Sequence, residues 1–306
     1  MVEYLQHKIT IGADPEMFCT KDGDYIAVQE CGITGTKESP QLLPMGGNAQ
    51  RDNVAVEFAT LPADSKIEFV QNIGDTLMDL LDALPEGVDV DIVPSAHFPE
   101  AQLTHEECQE FGCDPDMDAW TMKVNDPPKD AGKSTFRSCG GHIHVGYVQG
   151  SGNDFLKDID GKAMTIRLMD CFHGMVATVL DSGEAAVERR TLYGKPGCFR
   201  PTEYGVEYRA LSNFWIKHPK LVELMYCLTM DVMKVMRDKT FLEILGELGS
   251  RNIIDTIISG EAKVAKSIIV GFLMQFMSEE SQTLFWECQE LVEKGFDYKE
   301  EWKEVA

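Results

Sequence analysis

Chemically reactive side chains occur in three pairs, each separated by one residue and each in a segment that alternates like a β-strand. The pairs are Asp14 with Glu16, His142 with His144, and Glu207 with Arg209. Residues two apart on a strand point to the same face of a sheet. Carboxylates and imidazoles bind divalent metals, and the planar guanidinium of arginine matches the oxygens of phosphate or carboxylate. The pairs therefore predict a site that binds metal ions together with an anion.

The acidic pair nearest the amino terminus flanks Pro15. Proline is tolerated at the edge or end of a strand, so Asp14 and Glu16 are expected at a rim of the sheet. A solvated turn is the alternative interpretation. A further carboxylate, Glu57, stands between apolar residues of a second strand. Alternation places it on the face opposite those neighbours, where the spacing alone favours exposure to water over a metal site.

The histidine pair is bordered by glycines, in the order Gly140, Gly141, His142, Ile143, His144, Val145, Gly146. Glycine inside a strand often marks the close approach of a ligand or another backbone. This favours ligand binding over two hydrogen-bonded surface histidines. Zinc is the usual metal of histidine pairs, but the other candidate residues are oxygen ligands, so Mg²⁺ or Mn²⁺ is favoured here.

Basic residues are concentrated in one part of an otherwise acidic chain. The group consists of Arg189, Arg190, Lys195, Arg200 and Arg209, among glycines at positions 194, 197 and 205. Such a group could bind an anion through bidentate guanidinium contacts. Salt bridges to the abundant acids are the alternative, above all for Arg189. One strand would present Glu207 to a metal and Arg209 to the phosphate that the metal binds.

The composition is that of a globular, strongly acidic protein. The 306 residues are 43% hydrophobic, and 51 acidic against 28 basic residues give a formal net charge of −23. This charge disfavours general binding to nucleic acid backbones or anionic membranes. Nine cysteines without a regular spacing indicate reduced thiols, and no signal sequence or membrane span is recognised. A cytoplasmic protein is expected, in the host cytoplasm if a phage encodes it.

The periodicity of apolar residues predicts an α+β fold in which strands come first and helices dominate later. Strands are predicted at residues 7–18, 53–60, 88–96, 135–148 and 206–211. Helices are predicted at residues 65–81, 104–112 and 162–180, and throughout the chain beyond residue 219. Since no linker separates these parts, we expect a single domain over residues 1–306, sheet-rich at 1–218 and helical at 219–306.

Five blocks of sequence resemble those of a known family. They are residues 12–18 (GADPEMF), 56–60 (VEFAT), 140–146 (GGHIHVG), 190–194 (RTLYG) with Gly197 and Arg200, and 204–215 (YGVEYRALSNFW). In order and spacing they resemble the phage-type carboxylate–amine ligases, or amidoligases, of the glutamine synthetase and glutamate–cysteine ligase superfamily. The resemblance spans most of residues 8–218. It implies a curved antiparallel sheet of the glutamine synthetase catalytic-domain type, covered by helices, with a helical C-terminal third.

The resemblance also implies a role for each matching residue. Two or three divalent ions, Mg²⁺ or Mn²⁺, would lie between ATP and the acid substrate, held by Asp14, Glu16, Glu57, His142 and Glu207. Arg209 would meet the transferred phosphate, and phosphate or substrate contacts are implied for His144, Arg190 and Arg200. A further acid is expected near the second strand, where Asp52 is the nearest candidate. It lies five residues before Glu57, so in a regular strand the two would face opposite sides.

The activity implied is ATP-dependent formation of an amide from a carboxylate and an amine, through an acyl phosphate. Arg209 and Arg200 would stabilise charge during the reaction, and Asp52 or Asp114 would remove the proton of the amine. The substrates would be small molecules or peptides, and assembly into a homo-oligomer is left open. A zinc hydrolase built on His142 and His144, and a non-catalytic phage protein that retains the fold, are the alternatives.

Overall fold

The computed structural model describes residues 8–109, 116–125 and 134–303. In it, strands and helices are mixed up to residue 208, and helices follow. The strands are β1 (Ile9–Lys21), β2 (Asp24–Ile26), β3 (Gln41–Leu42), β4 (Asn48–Asp52), β5 (Ala55–Ala59), β6 (Val88–Asp91), β7 (Ser95–His97), β8 (Met117–Asp118), β9 (Lys123–Val124), β10 (Phe136–Ser138), β11 (Gly141–Tyr147), β12 (Cys198–Pro201) and β13 (Gly205–Tyr208).

The helices continue this order to the end of the described chain. They are α1 (Lys66–Ala83), α2 (Glu106–Gln109), α3 (Ile159–Met169), α4 (Met175–Leu180), α5 (Glu184–Leu192), α6 (Pro219–Asp238), α7 (Phe241–Leu248), α8 (Ser250–Ser259), α9 (Ala262–Gly271), α10 (Glu279–Lys294) and α11 (Tyr298–Lys303). Part of the helix predicted at residues 104–112 is seen as α2, and residues 110–112 lie outside the described chain. The predicted α+β class with a helical C-terminal third is confirmed.

An antiparallel sheet of eleven strands forms the centre of the described structure. Its order is β3-β4-β5-β1-β11-β13-β12-β8-β9, and β2 and β6 also pair with β1. The long strand β1 pairs with β11 through its first half and with β5, β2 and β6 through its second half. The strands predicted at residues 7–18 and 206–211 correspond to β1 and β13, except that His7 lies outside the described residues.

Two predicted strands are each divided in the structure. The segment at 88–96 forms β6 and β7, the segment at 135–148 forms β10 and β11, and β7 pairs with β10 in a separate two-stranded sheet. Pro94 stands at the first break, and it has no N–H group to offer to a strand ladder. At the second break Cys139 donates its N–H to the carbonyl of Pro94 (2.9 Å). The prediction of two continuous strands was therefore wrong.

The two faces of the sheet differ in polarity because side chains alternate along β1. Ile9, Ile11, Ala13 and Met17 are buried in the main hydrophobic core, which includes apolar residues of α1 and α6. Burial of a side chain the size of isoleucine contributes about 1.5–3 kcal/mol. The intervening residues, Asp14 and Glu16 among them, project from the opposite face. Helices therefore cover one face, and the other carries polar side chains together with a smaller hydrophobic cluster that includes Phe18.

Helix α1 begins where the sequence predicts. The hydroxyl of Ser65 accepts a hydrogen bond from the N–H of Glu68 (3.3 Å), and the Glu68 carboxylate accepts one from the N–H of Asp64 (2.8 Å). These bonds satisfy N–H groups that have no partner within the helix. The apolar stripe of the helix is buried at Val70, Ile73, Leu77 and Leu80. The capped and amphipathic helix predicted at residues 65–81 is confirmed.

The helix predicted at residues 162–180 consists of α3, a π turn at Asp170–Gly174 and α4. By length and composition Ile159–Leu180 could cross a membrane, but 83% of its apolar window is buried inside the described structure, as in a core helix. At the π turn, the fully buried carboxylate of Asp170 accepts hydrogen bonds from the hydroxyl of Tyr208 and the indole of Trp120. Burial raises the pKa of Asp170 to about 7.

The last helix, α11, is anchored by Trp302. The indole N–H of this residue donates to the carbonyl of Ile216 (2.9 Å), and its ring lies against α1 at Gly74. A Cβ atom at position 74 would come within 2.8 Å of the ring. Glycine at this position therefore allows the close packing of α11 on α1.

This packing can be tested by comparing two glycine-to-alanine substitutions. Gly74→Ala is expected to lower the free energy of unfolding by about 1–3 kcal/mol, because the Trp302 ring must move. Gly246→Ala in α7 is the matched control, since within the described structure no atom lies within 4 Å of a Cβ there. It is expected to stabilise by up to about 1 kcal/mol through helix propensity. Urea denaturation measures both, and an unchanged stability of Gly74→Ala would contradict the packing.

Candidate metal centre

A row of polar side chains crosses the face of the sheet opposite the main hydrophobic core. From β4 to β12 it consists of Gln50, Glu57, Glu16, Asp14, His142, His144, Glu207 and Arg200. Asp14 lies directly opposite His142, and His144 lies directly opposite Glu207. Opposed residues of antiparallel strands project from the same face. The structure thus brings the three predicted pairs together.

Asp14, His142 and Glu207 form a first cluster, whose potential metal-binding atoms all lie within 4.8 Å of one another. Nδ1 of His142 is 3.2 Å from Oδ1 of Asp14 and 3.7 Å from Oε1 of Glu207. The imidazole and the Glu207 carboxylate are buried. Two carboxylates and an imidazole at this spacing could hold one divalent ion.

The glycines before His142 have a steric explanation within the protein. A Cβ atom at Gly140 would lie 2.2 Å from Nε2 of His142, and one at Gly141 would lie 2.4 Å from the carbonyl oxygen of Ser212. Gly140 also donates its N–H to the carboxylate of Glu16 (2.6 Å). The glycines that were expected to admit a ligand therefore admit the imidazole itself and a neighbouring backbone.

His144 lies beside the first cluster without completing it. Its Nε2 is 3.0 Å from Oδ1 of Asp14, and its Nδ1 hydrogen-bonds the hydroxyl of Tyr204 (2.5 Å). Burial alone would lower the pKa of His144, but the negative charges of Asp14 and Glu207 together raise it. Oδ1 of Asp14 and Nε2 of His144 are buried and face each other, so the Asp14 carboxylate and the His144 imidazole form an ion pair when the imidazole is protonated. Oδ1 of Asp14 also lies 3.2 Å from Nδ1 of His142, and its electron pairs suit a cation.

Glu16, Asp52 and Glu57 form a second cluster, again with oxygen atoms within 4.8 Å of one another. Gln50 donates a hydrogen bond to Oε1 of Glu57 (2.7 Å). Burial, and then the charges of nearby acids including Asp14, raise the pKa of Glu57 well above its usual range. Burial also raises the pKa of Glu16. A cation bound here would favour the ionised carboxylates, so the residues fit a hard divalent metal.

The positions of Asp52 and Glu57 differ from those expected. The segment that includes them is a hairpin rather than one strand, with Asp52 at the end of β4 and Glu57 in β5. Gln50 lies opposite Glu57 and two residues before Asp52, so all three share one face. The prediction that Asp52 faces away from Glu57 was wrong. So was the exposure that spacing favoured for Glu57, which is only 8% exposed.

Asn53 makes this hairpin turn. Its φ of 55° lies in the left-handed region, which asparagine tolerates better than most residues. The side-chain oxygen accepts a hydrogen bond from Nε of Arg137 (3.0 Å), and the side-chain nitrogen donates to the carbonyls of Glu107 and Cys108 (both 3.2 Å). The Asp-Asn dipeptide between two alternating segments is a turn signal that could have located the hairpin from sequence.

Two arginines lie on either side of Glu207. Arg209 hydrogen-bonds Oε1 of Glu207 through Nη1, and Arg200 donates to Oε2 (3.1 Å). Nε of Arg209 is 3.6 Å from Oδ2 of Asp116, a carboxylate for which the sequence offers no signal. Nη1 of Arg209 is also 3.5 Å from Nδ1 of His142. The structure thus places both predicted arginines beside the first cluster.

Arg190 has contacts unlike those expected. Its Nη2 donates to the carbonyls of Ala177 (3.1 Å) and Asp181 (2.7 Å), which places the side chain at the carboxyl end of α4. Cations are stabilised at that end of a helix. The phosphate contact expected of Arg190 is therefore not supported, because helix carbonyls bind its guanidinium. Asp114, expected as a base, lies outside the described residues.

Metal binding by the second cluster can be tested through the melting temperature of the protein. Mg²⁺ is expected to raise the melting temperature of the wild type, since a ligand at a hundredfold excess over its Kd stabilises the folded state by about 2.7 kcal/mol. Glu57→Gln removes one ligand and one repulsive charge. It should therefore reduce the rise caused by Mg²⁺ and increase the melting temperature in EDTA. Differential scanning fluorimetry measures both quantities.

The control for this experiment is Glu86→Gln, which neutralises an exposed carboxylate after α1. It is expected to change neither the melting temperature in EDTA nor the response to Mg²⁺ appreciably. A Glu57→Gln variant that responds to Mg²⁺ like the wild type would show that Glu57 is not a ligand.

Part of the sequence matches a known family. Residues 130–246 match the family described as phage phiEco32-like COOH.NH2 ligase-type 2. No curated protein matches the sequence. A solved structure of a bifunctional glutathione synthetase from Pasteurella multocida is similar with a TM-score of 0.46 and 9% identity, over 94% of this chain and 53% of that chain. A novel glutamine synthase homolog has a TM-score of 0.34 and 11% identity, over 94% and 71%.

The chain spans about half the length of the glutathione synthetase to which it is similar. The family match, which includes β10 to β13, covers His142, His144, Glu207 and Arg209 but neither Asp14 nor the second cluster. The description of that family names a ligase of carboxyl and amino groups. The predicted resemblance to the phage-type carboxylate–amine ligases is confirmed, and residues 130–246 carry the match.

Proposed function

We propose that this protein is an ATP-dependent ligase that joins a carboxylate to an amine through an acyl phosphate. The observation that carries the proposal is that the two acidic clusters and Arg209 lie side by side along the polar row, on one face of an antiparallel sheet. The family match supports the same class of reaction. An anionic carboxylate must approach the phosphates of ATP, so the site needs fixed positive charge.

Two ions of Mg²⁺ or Mn²⁺ would supply much of this charge, one on each cluster. Asp14 and Glu16 would then serve different ions, although they are two residues apart in β1. Five carboxylates against one imidazole favour a hard cation over zinc. When bound, the ions neutralise and orient phosphate oxygens. No third cluster of this kind occurs in residues 8–109, 116–125 and 134–303.

Arg209 would hold the phosphoryl group during its transfer. Its side chain is almost completely buried, with Glu207 bound at Nη1 and Asp116 near Nε. A guanidinium fixed in advance does not have to reorganise as charge develops on the transferred group. Arg200 is more exposed and would contact a phosphate or the substrate carboxylate. His144, held by the hydroxyl of Tyr204, would hydrogen-bond an anion on the same face.

Asp52 is proposed as a metal ligand. Its carboxylate belongs to the second cluster, where a cation would occupy its electron pairs. This position favours metal binding over the proton-accepting role first expected of Asp52.

The central test is the formation of a hydroxamate. Purified protein is incubated with ATP, Mg²⁺ and hydroxylamine across a panel of small acids and peptides. We expect phosphate release that depends on one acid and yields its hydroxamate, because hydroxylamine captures an acyl phosphate. An absence of acid-dependent phosphate release across the panel would contradict the proposal.

Arg209→Ala is expected to slow hydroxamate formation about a hundredfold, since removal of one preorganised donor costs about 3 kcal/mol of barrier. Arg251→Ala is the control, because the Arg251 side chain is 93% exposed and lies on α8. It should leave the rate unchanged. If a folded Arg209→Ala variant keeps the full rate, Arg209 does not meet the transferred group.

The same preparation distinguishes the two alternatives. A zinc hydrolase would use His142 and His144 together, and both imidazoles lie close to Oδ1 of Asp14. One tightly bound zinc ion and hydrolysis without ATP would favour this enzyme. Failure to bind ATP with Mg²⁺ would favour a non-catalytic protein. Assembly into a homo-oligomer and a cytoplasmic location stay predictions.

A further inference from the structure

Two separate elements meet at Arg209. One is β13, whose last residue, Tyr208, immediately precedes it. The other is the hairpin of β8 and β9, which follows Asp116, whose Oδ2 is 3.6 Å from Nε of Arg209. The hairpin is closed at its base by hydrogen bonds from the backbone and side chain of Asn125 to Asp116 (2.9 and 2.8 Å). The position of the guanidinium therefore depends on both the strand and the hairpin.

Both elements are bound to one side chain on the helix-covered face of the sheet. The hydroxyl of Tyr208 donates to Oδ1 of Asp170 (2.8 Å), and the indole N–H of Trp120 in the hairpin donates to Oδ2 (2.6 Å). Asp170 has no exposed surface, and Tyr208 is also fully buried. Each carboxylate oxygen thus accepts a hydrogen bond from a different element.

The helical stretch that contains Asp170 also binds the hairpin at a second point. Nε of Arg167 donates to the carbonyl of Ala119 (2.7 Å), and its guanidinium lies 5.8 Å from the centre of the Trp120 ring. Arg167 and Asp170 are three residues apart and so lie on the same face of the helix. The hairpin is therefore fixed against the helix by two side chains.

Packing alone does not explain a carboxylate at this buried position. Its burial costs free energy that an apolar side chain of similar size would not cost. What Asp170 adds is two directed hydrogen bonds from side chains, in two elements that meet again at Arg209. Asp170 also opens the π turn of its helix, and such turns are frequent near functional sites.

We propose that Asp170 is a positioning residue for Arg209. Through Tyr208 and Trp120 it fixes β13 and the hairpin, so that Glu207 and Asp116 hold the guanidinium at a set place. The benefit of this positioning for phosphoryl transfer rests on the proposed function. The role of Asp170 in placing the guanidinium does not.

The first test is Asp170→Asn, which keeps the shape of the side chain but replaces one acceptor oxygen by an amide nitrogen that cannot accept. We expect the kcat for hydroxamate formation to fall at least about tenfold, as is usual when a supporting residue is lost, with little change in the KM for ATP. Tyr208→Phe and Trp120→Phe each remove one of the two hydrogen bonds. They keep the proposal testable if Asp170→Asn does not fold.

A double-mutant cycle separates positioning from a general loss of stability. In an Arg209→Lys background, which lacks the planar fork, Asp170→Asn should cause little further loss of kcat. Thr178→Val is the matched control, because it removes a buried hydrogen bond, from Oγ1 to the carbonyl of Gly174 (2.8 Å), in the same helical stretch. It is expected to lower stability without changing kcat. A wild-type kcat for Asp170→Asn would overturn the proposal. So would a double variant in which the fold losses of kcat caused by Asp170→Asn and by Arg209→Lys multiply in full.

A crystal structure of Asp170→Asn provides a readout that does not need the reaction. We expect the Arg209 guanidinium to move away from Asp116, and an unchanged pair would overturn the proposal. If wild-type protein forms no hydroxamate, the proposed function fails, and this comparison of structures still decides whether Asp170 positions Arg209.

Discussion

The structure depends on keeping five acidic side chains close together on one face of a sheet. They are Asp14 and Glu207 in the first cluster and Glu16, Asp52 and Glu57 in the second. Burial and mutual repulsion oppose this arrangement, and they raise the pKa of Glu57 and Glu16. The neighbours compensate with donors, namely the amide of Gln50, the N–H of Gly140 and the guanidinium groups of Arg200 and Arg209. A divalent cation bound among the acids would offset their mutual repulsion, because it attracts each carboxylate.

The apolar face of the same sheet is what forces the acids together. Ile11, Ala13 and Met17 alternate along β1 with Asp14 and Glu16. A slip of one residue in the pairing of β1 would turn the carboxylates into the hydrophobic core, so the register is strongly specified. The free energy gained by burying the apolar side chains therefore holds the charged side chains in a row that they would not form alone. Since β1 lies between β5 and β11, its two acids contribute to different clusters.

The sequence predicts those parts of the site that depend on local periodicity. Residues two apart share a face in any strand, so the pairing of His142 with His144 and of Glu207 with Arg209 could be anticipated. The burial of Glu57 could not, because it depends on pairing with Glu16, which is far away in the chain. Asp52 was misplaced because the turn at Asn53 was read as part of a strand. The contacts of Arg190 could not be anticipated, because local spacing does not show that its partners are helix carbonyls.

Supporting residues are harder to predict than the residues they support, because their partners are remote. Asp170 is 38 residues from Tyr208 and 50 from Trp120, and in sequence it is one of several polar residues in a largely apolar helical stretch. Strand alternation nevertheless relates the two kinds of residue. In the segment of Glu207, Tyr208 and Arg209, the outer residues face the polar row and the middle one faces the helices. Between the two members of each chemically reactive pair on a strand there is thus a residue that faces the other side of the sheet. Packing of that residue can fix the position of the pair.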